Sequence, residues 1–187
     1  IEQKAKQSGI DLSKMDEQLP SAKRVEPCSL LTQEEAQKIL GVEIERVESS
    51  DDRTCLYYAK DGVEKDAEKA LEERVRKAGK ETGGIEAAVK GILGDVTDNK
   101  GAYLVVSVQW DEGRAAVTAF QIALELLAPD LKTPVSGLGD QALIGPMDSM
   151  LIFRKAGTAV VIDLRLVPEG RAKGLEIART IESRLDI

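Results

Sequence analysis

The polarity pattern changes period several times along the chain, and each change marks an element. Residues 1–26 carry no sustained apolar face. Met15 and Leu19 permit at most a short helix there, and the stretch through Lys23-Arg24-Val25-Glu26 is charged in the manner of a tether that docks loosely. The first folded signal is Leu31-Thr32-Gln33-Glu34-Glu35. Thr32 can cap a helix, Glu35 three positions later can reach back to its amide, and Gly41 offers a left-handed stop, so a helix is predicted over 33–40. Residues 42–48 and 53–60 then read as two strands joined through the turn formers Ser49-Ser50-Asp51-Asp52, a hairpin.

Helical spacing returns at Val63, Ala67, Ala70, Leu71, Val75 and Ala78, with Gly79 ending the run, and again over about 84–94 at Ile85, Ala88, Val89 and Ile92. Tyr103 to Trp110 alternates between two largely apolar faces, as a central strand does. From Arg114 to Leu127 the polar residues Arg114, Thr118, Gln121 and Glu125 form one narrow stripe. A helix so apolar elsewhere calls for cover beyond a single sheet face. Pro129 and Pro134 bound a loop leading into Gly137-Leu138-Gly139-Asp140, a glycine turn before a strand. Strands over 150–155 and 159–167, joined through Ala156-Gly157, and a helix from about Arg171 complete the chain. Strands that come in hairpins predict an α+β class: a largely antiparallel sheet of about five or six strands with helices packed on it, residues 27–187 forming one domain behind the 1–26 tether.

Composition narrows the chemistry. The 187 residues are 42% hydrophobic and carry 26 basic against 33 acidic groups, a net charge of -7. An acidic chain with six aromatic residues offers neither the field nor the stacking platforms for nucleic acid. Histidine is absent, which removes the usual general acid-base near neutral pH and the commonest nitrogen ligand for a metal. No apolar run approaches a bilayer span and no signal peptide is visible. A first residue of Ile1 suits a mature or truncated form.

Context decides what each short motif can mean. Cys28 and Cys55, the only cysteines, fit neither a redox Cys-x-x-Cys nor a metal set. They read as a disulfide in an oxidising compartment or as two buried thiols. Gly137 to Ala142 spells a dinucleotide fingerprint, but a proline-bounded loop precedes it and Gly145-Pro146 comes after it, where a strand and a helix N-terminus are needed. Asp95 to Gly101 misses the calcium-loop register by one position and lacks the closing glutamate. Ser136 has no nucleophile-elbow glycine before it. No catalytic, cofactor or metal residue is therefore assigned. The residues singled out as a candidate binding surface are Trp110, Asp111 and Arg114 at a strand-to-helix corner, Phe120 and Leu124 on the apolar helix, and Gly137, Leu138 and Asp140 in the glycine turn.

The string Pro27-Cys28-Ser29-Leu30-Leu31-Thr32, with Glu35-Ala36, Leu40-Gly41, the later Cys55-Leu56-Tyr57 and Gly137-Leu138-Gly139-Asp140-Gln141-Ala142, resembles a family of secreted bacterial lipoproteins of unknown function. The resemblance implies an exported domain, a lipidated cysteine upstream of Ile1 as its only membrane attachment, and pairing of Cys28 with Cys55. It implies no activity. The helical stretch over 63–96 is longer than the resemblance suggests. The expected role is a non-catalytic interaction module of the cell envelope, with an envelope protein as partner. Rival expectations are a carrier of an apolar small molecule beside helix 114–127 and a carboxylate-dependent hydrolase.

Overall fold

The computed structural model describes residues 19–60, 62–82, 101–127 and 133–186. Among these residues seven strands form one sheet: β1 (Ile44–Ser49), β2 (Thr54–Ala59), β3 (Leu104–Gln109), β4 (Thr133–Val135), β5 (Gln141–Ile144), β6 (Met150–Lys155) and β7 (Thr158–Asp163). Their order is β1-β2-β3-β7-β6-β5-β4, and every neighbouring pair is antiparallel. Among the described residues four α-helices accompany them: α1 (Gln33–Leu40), α2 (Val63–Thr82), α3 (Gly113–Leu127) and α4 (Gly170–Glu182). The class is α+β, as the hairpin pattern predicts. Among the described residues the sheet holds seven strands where five or six are expected; the unforeseen one is β4, three residues long and carrying Pro134, in a stretch that reads as a loop.

Alternation places the apolar side chains of each strand on two faces. The principal core lies on one face, where Cys55, Tyr57, Leu104, Val106, Val108, Leu151, Phe153, Val160 and Ile162 meet Leu31, Ala36 and Leu40 from the α1 region and Ile177, Ala178 and Ile181 from α4. On the opposite face α3 packs over β5, β6 and β7, with Val117 set against Leu143, Ile152 and Ala159. Leu56, Tyr58, Ala102 and Val105 form a smaller buried group on that face at β2 and β3.

Several boundaries differ from the sequence expectation. Helix α2 continues past Gly79 to Thr82, since one helical glycine costs only about 1 kcal/mol relative to alanine. Strand β7 stops at Asp163 rather than Val167. There the carboxylate accepts the Arg165 N–H at 3.0 Å and the Arg165 guanidinium through Nε and Nη2, which turns the chain out of the ladder. The second helix expected over 84–94 and all of the Asp95–Gly101 loop but Gly101 lie outside the described residues.

Residues 20–24 are docked on the domain by hydrogen bonds. Pro20 O accepts the Gly157 N–H at 2.8 Å, the Ala22 N–H donates to Thr158 Oγ1 at 2.8 Å, and Ala22 is buried in the principal core. Lys23 N–H then donates to Asp186 O at 2.9 Å, drawing the two ends of the described chain together.

The predicted start of α1 is present as a full capping box, and Gly41 closes the helix at φ 70°. Its Glu35 has a second role that spacing does not reveal. Arg184 donates to both Glu35 carboxylate oxygens, at 2.8 and 2.5 Å, and to Leu30 O at 2.9 Å, joining the end of the chain to the start of the domain. Those Arg184 hydrogen bonds, with the Thr32 amide adding to them, hold the Glu35 carboxyl at about 2 against an ordinary 4.5. A depressed carboxylate contributes stability above its unfolded pKa and loses it as pH falls through the folded value. With the pair one-third exposed, the contribution should be about 1 kcal/mol. Glu35→Gln should therefore destabilise the protein at about pH 6, with the gap narrowing as pH falls below about 4.5 and closing only below about pH 2, as read by denaturant midpoints at about pH 6 and about pH 1.5. Parallel curves at both pH values would contradict it.

Candidate functional site

The sequence-derived candidates separate into two groups. The first gathers around the two-residue turn Ala156-Gly157 between β6 and β7. Trp110 O accepts from Thr158 Oγ1 at 2.9 Å, and the Gly113 N–H at the start of α3 donates to Gly157 O at 2.8 Å. Asp140 reaches the same turn from the glycine loop. Its Oδ2 accepts the Ala156 N–H at 2.7 Å and Arg154 Nη1 at 3.1 Å, while Arg154 Nη1 also donates to Ala156 O at 2.7 Å. Ala156 sits at φ 50°, in the left-handed region that disfavours a side chain, and Asp140 and Arg154 grip its amide and carbonyl from either side. Asp111 is exposed and pairs with Arg24 of the docked N-terminal segment.

Each polar member of this group is thus engaged in holding loops. Trp110 belongs to the principal core, at 2% exposure, and its indole N–H donates to Asp52 O at 3.3 Å in the β1–β2 turn. Leu138 is also core, a plug from the glycine loop at 2% exposure. The tight turns explain Gly137 and Gly139, whose φ values are 74° and 54°. The Gly137–Ala142 string runs directly into strand β5, with no helix N-terminus to receive a pyrophosphate. Sequence reading placed Trp110, Asp111 and Asp140 near turns. It gave no sign that Arg24, Arg154 and Ala156 complete their surroundings, because those partners lie far away in sequence or on the strand across the hairpin.

The second group lies along α3. Leu124 is fully buried and Phe120 half-buried, Phe120 resting against the Val117 cluster on one side and Met147 and Met150 on the other. Gln121 of the polar stripe accepts from Gln141 Nε2 at 3.3 Å, so part of that stripe turns toward the sheet. Arg114 is half-buried at the first turn of the helix. Among the described residues α3 packs on β5, β6 and β7, and from Gly113 to Glu125 all but the exposed Ala119 are buried or half-buried. Alanine makes that exposure tolerable, since each methyl leaves little apolar area to water. Phe120 and Leu124 are therefore placed away from the Ala156 turn group, and the two sets do not form one surface.

Two titratable groups stand out near the N-terminal segment, Glu35 and Tyr57. Tyr57 is buried, and burial, with the Glu35 charge adding to it, pushes its hydroxyl well above the ordinary range. It remains a donor, to Leu31 O at 2.6 Å. Among the described residues no cluster of three or more Cys, Asp or Glu is arranged to hold a metal, and no helix is long and apolar enough to cross a membrane. Cys28 of the 3-10 turn Pro27–Ser29 is bonded to Cys55 of β2, which resolves the two readings of the cysteines in favour of the bridge. Comparison with protein-family models, with curated proteins and with solved structures finds no match.

Proposed function

We propose that this chain is a non-catalytic interaction domain that works outside the cytoplasm, attached to the cell envelope through a lipidated cysteine upstream of Ile1. The observation that carries the reading is the Cys28–Cys55 bridge. It joins the first folded turn to the second strand with the Cys55 side chain wholly buried, a staple of the kind that forms and persists in oxidising compartments. The polar residues that sequence reading singled out support the non-catalytic half of the proposal. Asp111, Asp140 and Trp110 are spent on ion pairs and turns that shape a rigid end of the sheet, where a partner protein would meet preformed loops. The burial of Val117 and Leu124 on α3, with Val117 packed against Leu143, Ile152 and Ala159 of the sheet, favours this reading over a carrier of apolar molecules.

The test is expression of the full-length gene with its own upstream sequence, followed by cell fractionation, thiol alkylation without reductant and native mass spectrometry. The expected result is an envelope-associated protein with both cysteines unreactive and an added mass that resides on the N-terminal peptide. Reactive thiols in a cytoplasmic fraction would overturn the location. An added mass released by organic solvent would overturn the interaction module in favour of the carrier.

A further inference from the structure

Strand β1 ends the sheet, and its hydrogen-bond phase shows which of its backbone groups face outward. Ser50 N–H donates to Thr54 O at 2.9 Å, which makes Ser50 and Thr54 a hydrogen-bonded pair. In an antiparallel ladder such pairs alternate with non-bonded ones. With the register Ser49 to Cys55, Glu48 to Leu56, Val47 to Tyr57 and Arg46 to Tyr58, the inward-bonding residues are Glu48 and Arg46, and the amides and carbonyls of Val47 and Ser49 point away from β2. Ile44, across the irregularity between Ile44 and Arg46, also points outward, and there the fold has provided its own partners. Gln33 Nε2 donates to Ile44 O at 2.7 Å and the Ile44 N–H donates to Gln37 Oε1 at 3.2 Å, so two glutamines of α1 stand in for a neighbouring strand. Among the described residues no further strand pairs with the edge from Glu45 to Ser49, and Glu45, Arg46 and Ser49 are exposed.

We infer that this edge is a self-association surface on which β1 of a second copy of the chain docks antiparallel, with the two-fold axis at Val47. Charge selects both the occupant and the register. Outward-facing residues must pair with outward-facing residues, so the choices nearest full overlap set Val47 against the second copy's Val47, or Val47 against its Ser49. The second alignment places Glu48 opposite the other Glu48, a repulsion. The first places Arg46 opposite Glu48 of the second copy twice over, beside the Arg46–Glu48 ion pair that each copy already makes along its own strand, so the four charges alternate in sign across the seam at non-hydrogen-bonded positions, where cross-strand side chains approach most closely. Val47, half-buried on the core side of the strand, then meets its own symmetry mate. The glutamine cover at Ile44 lies opposite Ser50 of the second copy, beyond the end of its strand, so the ladder ends where both copies run out of free edge. A ladder this short defines a weak, concentration-dependent dimer that joins two seven-stranded sheets into one.

Sedimentation of the full 187-residue chain from about 10 µM to about 1 mM tests this, with a monomer–dimer equilibrium expected in that range. Val47→Pro removes an outward amide that the β1–β2 ladder does not use and should weaken dimerisation at least about tenfold. Arg46→Glu should do the same by setting like charges across the seam, and Arg46→Glu with Glu48→Arg should restore it, because the swapped pair attracts again. A rescue of this kind does not depend on whether Val47→Pro folds. A chain that is monomeric throughout the range, or a dimer indifferent to these substitutions, would overturn the inference.

Discussion

Replacing Cys28 and Cys55 by alanine should lower the unfolding free energy by about 3.5 kcal/mol, the loop-closure entropy that a bridge over a separation of 27 residues removes from the unfolded chain. The native contacts around the bridge give reason to expect the loss on that side of the equilibrium. Leu30 and Leu31 are buried at 1% and 0% exposure, Tyr57 donates to Leu31 O and Arg184 to Leu30 O, so the segment stays docked without the sulfur bond. Alanine is the appropriate replacement at position 55, because serine would bury a hydroxyl at 0% exposure and add a desolvation cost unrelated to the bridge. Denaturant titration of the double variant beside the wild type, each with and without reductant, checks the figure. Wild type in reductant should fall to the midpoint of the variant, and the variant itself should not respond. An unchanged midpoint in both would mean that the bridge constrains nothing. A domain of this size commonly has about 5–15 kcal/mol in total, so a loss of about 3.5 kcal/mol is a substantial fraction of it and accords with a protein that folds where disulfides form.

Local chemistry was well recorded in the sequence, and contacts distant along the chain were not. The α1 cap was readable because Thr32, Glu35 and Gly41 carry all of it within ten positions. The β6–β7 hairpin was readable because Val160 and Ile162 repeat at the pleat period just after the Ala156-Gly157 turn. Strand β4 carries a proline and has no period to detect, and β5 is legible only as the strand after a glycine turn. The same division holds for the candidate site. Trp110, Asp111 and Asp140 were placed correctly at chain reversals, yet whether they face a ligand or hold loops depends on Arg24, Arg154 and Thr158, whose approach is set by sheet order. Sequence spacing contains no statement that β3 lies beside β7, and that adjacency is what assembles the whole Ala156 turn group.

Two alanine substitutions within one short motif should differ severalfold in cost, and the contrast tests what the Gly137-Leu138-Gly139-Asp140 turn is for. Both glycines are left-handed, so each alanine carries roughly 1–2 kcal/mol of backbone strain. At Gly137 nothing lies within 4 Å of the added Cβ, and strain is the entire effect. At Gly139 the Cβ would fall 2.2 Å from Arg154 O, a backbone atom fixed in β6 that cannot give way. The loop would have to lift. That movement would break the Asp140 N–H to Arg154 O bond at 2.7 Å and the Gly139 N–H to Glu182 bond at 2.7 Å. It would also draw Leu138 from the core and release Asp140 from the Ala156 amide. Gly139→Ala should therefore cost about 4 kcal/mol or more, the range reserved for broken networks and strain combined, against about 1–2 kcal/mol for Gly137→Ala. Thermal and denaturant melts of the two variants read the difference directly. Equal, small losses would mean that the loop is not clamped against β6, and the motif would then have to be explained by something it binds rather than by what it holds together.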